Sequence, residues 1–231
     1  GGYLMALGAR AVGAASRPHP ASVTAHFLAP GKVGPVSISP NVIKVGRTFS
    51  TVRASVVGPE KPIVELLGSF GELDNVDGAV LVDAEPPQLP PPEDCVRVVP
   101  RERGFPPQMM ARVDIRLHPD DAALLEDQPS GQPLVRGWVK FPDDEPVDAF
   151  GLIMIADSFP PTVFNANLPM TWVPTVEMTT QVRGIPEPGW LRCKFSTRFI
   201  TGGVLEEDGE IWDNSGRLVA LSRQLALMPR G

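Results

Sequence analysis

The sequence predicts an α+β protein made of two consecutive repeats, each an antiparallel β-sheet wrapped around one central α-helix. Three observations carry that prediction. A helical pattern followed by several strand-like segments occurs twice, a Pro-rich stretch separates the two occurrences, and the second helical pattern is apolar on every face.

Residues 2–15 (GYLMALGARAVGAA) read as the first helix, and residues 22–28, 33–45, 48–57 and 62–70 follow as strands. The run EPPQLPPPED at 85–94, and the loop-type residues at 100–108, do not suit a packed element because proline carries no N–H donor. The first repeat is therefore expected at 1–73, with its first strand expected to precede Gly1, the linker at 74–108 and the second repeat at 109–231. In the second repeat, strands at 109–117 and 133–141 lead into a helix at 147–156, and strands at 171–183, 191–200, 203–212 and 217–228 complete it. Each helix is expected to be followed by an antiparallel meander. Short echoes support the repeat: Phe49-Ser50-Thr51 returns as Phe195-Ser196-Thr197, and Glu60-Lys61 before one final strand corresponds to Gly216-Arg217 before the other.

The run Phe150-Gly151-Leu152-Ile153-Met154-Ile155-Ala156 offers no polar face to solvent, so it must be enclosed. A sheet curled around one buried helix encloses it, which is the hotdog arrangement, and two in sequence make a double hotdog.

With 42% hydrophobic residues in 231, the chain can bury a large core. Its net charge of −6 gives no general attraction to nucleic acid or anionic membrane, so an anionic substrate needs a local basic patch. Cys95 and Cys193 are too few for a disulfide scaffold or a structural zinc cluster, and His19, His26 and His118 are too scattered for a metal site. The apolar run near 150–156 is too short to span a bilayer, and no leader pattern opens the sequence. A cytoplasmic protein with no metal is expected. Because Gly1-Gly2-Tyr3 runs straight into a helix, the natural chain is expected to begin earlier.

Asp157 directly follows the apolar helix. A carboxylate there is poorly hydrated and faces the negative end of the helix dipole, and both conditions favour taking a proton from water as a general base does. The alternative is a structural Asp that bonds backbone groups at the turn. In the last strand, alternation places Gln224 on one face with Leu218, Ala220, Ser222 and Ala226, a face with room for a ligand or a close-packed helix. A glutamine bonding the sheet edge would fit equally well. Thr175, at the start of a strand, has no functional weight by itself because threonine is common in strands. Arg192, Lys194, Ser196 and Arg198 alternate onto one face that could meet phosphates or simply be solvated.

Over nearly its whole length the chain resembles the type II acyl-CoA thioesterases (TesB-like), a double-hotdog family. The resemblance lies in Gly1-Gly2, the strand from Ser22 through Pro30-Gly31, Val45-Gly46-Arg47-Thr48-Phe49-Ser50 with Lys61-Pro62-Ile63, Gly137-Trp138 through Asp143-Asp144, Ala156-Asp157, Thr175-Val176-Glu177, and Leu218-Val219-Ala220-Leu221-Ser222-Arg223-Gln224. The family's catalytic Asp, Thr or Ser, and Gln fall on Asp157, Thr175 and Gln224. One departure is Glu177-Met178, where many relatives carry Asp-His after the threonine. The resemblance implies hydrolysis of a fatty acyl-CoA with no cofactor beyond the CoA of the substrate. Asp157 would take a proton from a water held by Thr175 and Gln224, giving direct attack without an acyl-enzyme. Gly2, at the start of the first helix, is the candidate oxyanion donor, and Arg192, Lys194 and Arg198 are the candidate CoA contacts.

Aligning the final strands sets Gly68 opposite Gln224, and the first helix ends in Ala14-Ala15-Ser16 without a carboxylate. The second repeat is thus expected to react and the first to shape the pocket, and self-association is expected because hotdog sheets commonly pair. Two rival functions are a hotdog hydratase or dehydratase, for which His26 is the candidate residue, and a non-catalytic acyl-CoA binding protein.

Overall fold

The computed structural model describes residues 1–73, 78–168 and 172–228. Helix α1 (Gly2–Ala15) buries Gly2, Met5, Gly8, Ala9 and Val12, whose spacing of three and four residues puts them on one face. Strands β1 (His19–Phe27), β2 (Ser37–Val45), β3 (Ser50–Val57) and β4 (Pro62–Gly71) follow. Next come β5 (Val96–Arg97), β6 (Asp114–Leu117), the short helix α2 (Pro119–Ala122), β7 (Leu134–Lys140) and α3 (Ala149–Ile155). The chain then forms β8 (Thr175–Val182), β9 (Leu191–Ser196), the short β10 (Ile200–Thr201), β11 (Val204–Trp212) and β12 (Leu218–Leu227).

These strands form one antiparallel sheet in the order β2-β3-β4-β1-β8-β12-β11-β9-β7-β6-β5, with β10 beside β11. This is the double hotdog. Strands β1 to β4 correspond in order to β8, β9, β11 and β12, and the repeats join through β1 and β8, where the Thr24 and Thr179 hydroxyls lie 2.9 Å apart. The meander expected in each repeat holds only for its last three strands. The first strand after each helix pairs with the last, β1 with β4 and β8 with β12, so its other edge is free to join the repeats into one sheet.

Glu60-Lys61 and Gly216-Arg217 do precede equivalent strands. The other echo does not: Phe49-Ser50-Thr51 leads into β3, whereas Phe195-Ser196-Thr197 ends β9, the equivalent of β2. Three matching residues occur by chance, and only sheet register shows whether they correspond.

The segment read as a linker over 74–108 is not all loop. Val96 and Arg97 pair with Leu117 and Arg116 at the end of the sheet. The proline run beside them is held by its carbonyls, with Trp138 Nε1 donating to Pro90 O at 2.8 Å and Arg116 Nη1 to Pro92 O at 3.2 Å. Prolines suit this contact because they offer acceptors and leave no N–H to satisfy. Residues 74–77 of that segment, and residue 171 of the strand expected at 171–183, lie outside the described residues.

Helix α3 is shorter than the expected 147–156 because Asp148 caps its start, accepting hydrogen bonds from Phe150 N at 3.0 Å and Gly151 N at 2.7 Å. Arg10 of α1 binds the same carboxylate at 2.6 Å and lies 4.7 Å over the Phe150 ring, so the end of α1 is tied to the start of α3. Ala149, Gly151, Leu152, Ile153 and Ile155 are all buried, as an apolar helix inside a sheet requires. Replacing Asp148 with Ala is expected to cost about 1 kcal/mol, the usual cost of a lost N-cap. In calorimetry this corresponds to a Tm fall of about 2–4 °C for a domain of this size.

The turn between β11 and β12 is organised by Asp213, which is fully buried. Its Oδ1 accepts from Ser215 N, Ser215 Oγ and Arg217 N, while Oδ2 accepts from Glu187 N at 3.3 Å and faces the Arg217 guanidinium at 3.2 Å. Gly216 takes the turn at φ +85°, a conformation that suits glycine. Burial raises the pKa of Asp213, but these hydrogen bonds and the Arg217 charge outweigh it and hold the carboxyl below its ordinary range. A carboxyl depressed on folding stabilises the protein fully above its unfolded pKa, and the stabilisation is lost as pH falls through the folded value. Asp213→Asn is expected to lose about 1–3 kcal/mol at neutral pH by leaving a donor where an acceptor is needed. Thermal melts of both proteins should converge as the pH falls below the ordinary Asp range.

Among the described residues, no helix is long and apolar enough to cross a membrane.

Candidate active site

Helices α1 and α3 run antiparallel, so the start of α1 faces the turn that ends α3. Asp157 lies in that turn, its own N–H directed to Met154 O at 3.3 Å. Gly2 N donates to Asp157 Oδ2 at 2.5 Å, and the Gly1 nitrogen is 3.1 Å from the same oxygen. The carboxylate is thus held between the negative end of α3 and the positive end of α1. Only glycine permits this approach, since a Cβ on Gly2 would stand 2.6 Å from Asp157 Cβ and 3.0 Å from Met154 O. Gly2 was expected to face an oxyanion. Its N–H is instead given to Asp157 Oδ2.

Thr175 opens β8 and Gln224 lies in β12, where the pairing of these strands shifts register between Leu225 and Ala226. Thr175 Oγ1 donates to Gln224 Oε1 at 2.8 Å. The amide nitrogen, Gln224 Nε2, donates to Glu207 Oε1 at 2.7 Å, and Glu207 is the residue directly opposite Gln224 on β11. The other oxygen, Glu207 Oε2, accepts from Thr162 N at 2.7 Å and Thr162 Oγ1 at 2.8 Å. Burial raises the pKa of Glu207, the hydrogen bonds from Thr162 and Gln224 pull it down, and the charge of Asp157 adds to the rise; the net effect is upward.

Glu207 and Thr162 escaped the sequence reading. Glu207 left a signal: alternation along β11 aligns it with Leu205, Gly209 and Ile211 on the buried face, where an acid is out of place. Thr162 left none, lying in a proline-containing turn five residues after Asp157.

Asp157, Thr175, Gln224 and Glu207 all line one cavity of about 560 Å³. Much of the remaining wall is apolar. Phe159 and Phe195 pack with ring centroids 4.9 Å apart, and Phe105 meets Phe164 edge to face at 5.2 Å. At the other helix end, α1 ends with Ser16, whose hydroxyl bonds Val12 O, so no carboxylate stands there. Gly68 pairs with Val23 as Gln224 pairs with Met178, and a Cβ on Gly68 would lie 2.9 Å from Ser22 O. The first repeat therefore has no counterpart of the acid or the amide.

Residues 92–228 match the C-terminal domain model of acyl-CoA thioesterases, and residues 1–71 match the N-terminal domain model. The chain belongs to the acyl-CoA thioesterase family. Solved structures resemble it over its whole length. A thioesterase II candidate from Thermobifida fusca YX is 35% identical with a TM-score of 0.88, over 100% of this chain and 86% of that one. A hot dog fold protein of unknown function from Alicyclobacillus acidocaldarius is 24% identical with a TM-score of 0.85, over 100% and 87%. An acyl-CoA thioesterase II from Mycobacterium marinum shares the fold at 19% identity and a TM-score of 0.75, over 100% and 89%.

The candidate CoA contacts are not on the cavity wall. Arg192 and Lys194 alternate with Leu191, Cys193 and Phe195 along β9; the last three are buried, and Phe195 lines the cavity. Arg192 lies 5.1 Å over the Trp138 ring, Lys194 pairs with Glu210 at 3.6 Å, and Arg198 with Asp208 at 3.9 Å. Arg192 and Lys194 serve the opposite face of the sheet because β-alternation that turns Phe195 inward turns them outward. His26 is likewise exposed, while its neighbour Phe27 lines the cavity. No group of three or more His, Cys, Asp or Glu residues is placed to hold a metal ion among the described residues.

Proposed function

We propose that this protein hydrolyses fatty acyl-CoA thioesters to a free fatty acid and CoA by general-base activation of water. The observation that carries the reading is the convergence of Asp157, Thr175 and Gln224 on one largely apolar cavity. Gly2 holds Asp157 Oδ2, so Oδ1 is the oxygen that takes a proton from water while the water oxygen bonds to the thioester carbonyl carbon. Collapse of the tetrahedral species breaks the C–S bond. The CoA sulfur leaves and receives the proton held by Asp157, which restores the carboxylate. Thr175 and Gln224 orient the water, and the aromatic wall accommodates the acyl chain. This step uses no cofactor beyond the CoA of the substrate.

A hydratase or dehydratase built around His26 fits less well, because that side chain is exposed and the cavity wall contains no histidine among the described residues. The test is thiol release from acyl-CoAs of graded chain length. Release from at least one is expected, and none from any would favour a binding protein instead. The reading extends to a cytoplasmic, self-associating enzyme, and light scattering on the purified protein tests the second part.

A further inference from the structure

The side-chain amide of Gln224 can be turned either way, and its neighbours on each side decide which. On one side is Glu207. The backbone N–H of Thr162 can only donate, and it is given to Glu207 Oε2 at 2.7 Å, with the Thr162 hydroxyl on the same oxygen. Glu207 Oε1 remains, and Gln224 Nε2 meets it at 2.7 Å. With its nitrogen turned to Glu207, the amide presents its oxygen to Thr175, whose hydroxyl gives it its single hydrogen at 2.8 Å.

We propose that Glu207 is a positioning residue that sets the donor direction of the relay from Thr175 through Gln224. The proposal rests on the hydrolytic reading of the cavity. A threonine oxygen that has given its hydrogen away offers only lone pairs, and the Asp157 carboxylate also offers only lone pairs. A water bound between them gives both hydrogens to acceptors and keeps its own lone pairs for the thioester carbon. Turned the other way, the amide would donate to Thr175. The threonine hydrogen would then point into the cavity, where it would engage the lone pair that must attack. Although Glu207 lines the cavity, both its oxygens are engaged by Thr162 and Gln224, so it acts through Gln224, and its buried carboxylate is conspicuous on an otherwise apolar strand face.

The two natural replacements separate this role from simple packing. Glu207→Gln keeps the shape but puts an NH₂ where an acceptor-only group stood, which forces the relay to reverse. Glu207→Asp shortens the side chain but keeps the carboxylate. The proposal predicts that Glu207→Gln melts no lower than wild type, keeps KM within about twofold and loses about tenfold or more in kcat. It also predicts that Glu207→Asp retains more kcat than Glu207→Gln. A packing role predicts the reverse order, and Gln equal to or better than Asp in kcat overturns the proposal.

A substrate-independent readout is the side-chain amide resonance of Gln224 in ¹⁵N-resolved NMR, identified by its loss in Gln224→Leu. It is expected to shift strongly in Glu207→Gln and little in Glu207→Asp. An unmoved resonance in Glu207→Gln overturns the proposal even if every acyl-CoA proves inert with wild type, whereas that inertness alone removes the hydrolytic reading. If Glu207→Gln does not fold, the proposal requires Glu207→Asp to fold with wild-type KM and a Gln224 resonance near its wild-type position. A displaced resonance there contradicts it.

Discussion

Asp157→Asn is expected to lower kcat for acyl-CoA hydrolysis by about 10²–10⁴-fold, the usual contribution of a positioned general base, with little change in KM. The amide keeps an oxygen that can accept the Gly2 N–H, so the junction between the end of α3 and the start of α1 survives. The proton acceptor is what disappears. Circular dichroism and melting should match wild type, and thiol release under saturating acyl-CoA supplies kcat. A variant that retains kcat within tenfold of wild type would move the base to another group.

Gly2→Ala is expected to lower kcat by about 10²-fold, because displacing a catalytic group by around 1 Å has a cost of that order. The added Cβ would meet Asp157 Cβ at 2.6 Å and the Met154 carbonyl at 3.0 Å, and neither is the loose tip of a side chain that could move aside. The start of α1 must therefore withdraw from the turn, and the carboxylate loses its fixed donor. The same thiol-release measurement, at several acyl-CoA concentrations, checks that the loss lies mainly in kcat. Wild-type kcat in Gly2→Ala would mean that α1 does not hold the base in place.

The fold was legible in the sequence because its strongest signal is a physical necessity. A helix as apolar as the one around Leu152 and Ile153 has to be enclosed, and the strand-rich segments around it provide the enclosure. What sequence alone left undetermined was pairing. The preference of β1 for β4 and β8 over β2, and the contribution of Val96 and Arg97 to the sheet, depend on contacts between distant segments that no local pattern encodes. The site divides in the same way. Asp157 and Gln224 were available as residue types at a helix end and on a strand face, and Thr175 gained weight only from the family resemblance, but the engagement of the Gly2 N–H by Asp157 follows from the antiparallel approach of two helices that brings together residues 155 apart in the chain. The cavity wall does not include Arg192, Lys194 or Arg198; a row of cations says only that a strand face is charged. Which face looks into the cavity is decided by the curl of the sheet around α3, and Phe195 takes the inward position.

Direct attack by water is tested most directly by acid-quenching the wild-type enzyme during turnover of a good acyl-CoA and weighing the intact protein. The account predicts that only unmodified protein is found at every time point, with CoA and free acid appearing together and no initial burst of CoA. Protein heavier by one acyl group, mapping to Asp157 or Thr175, would contradict it.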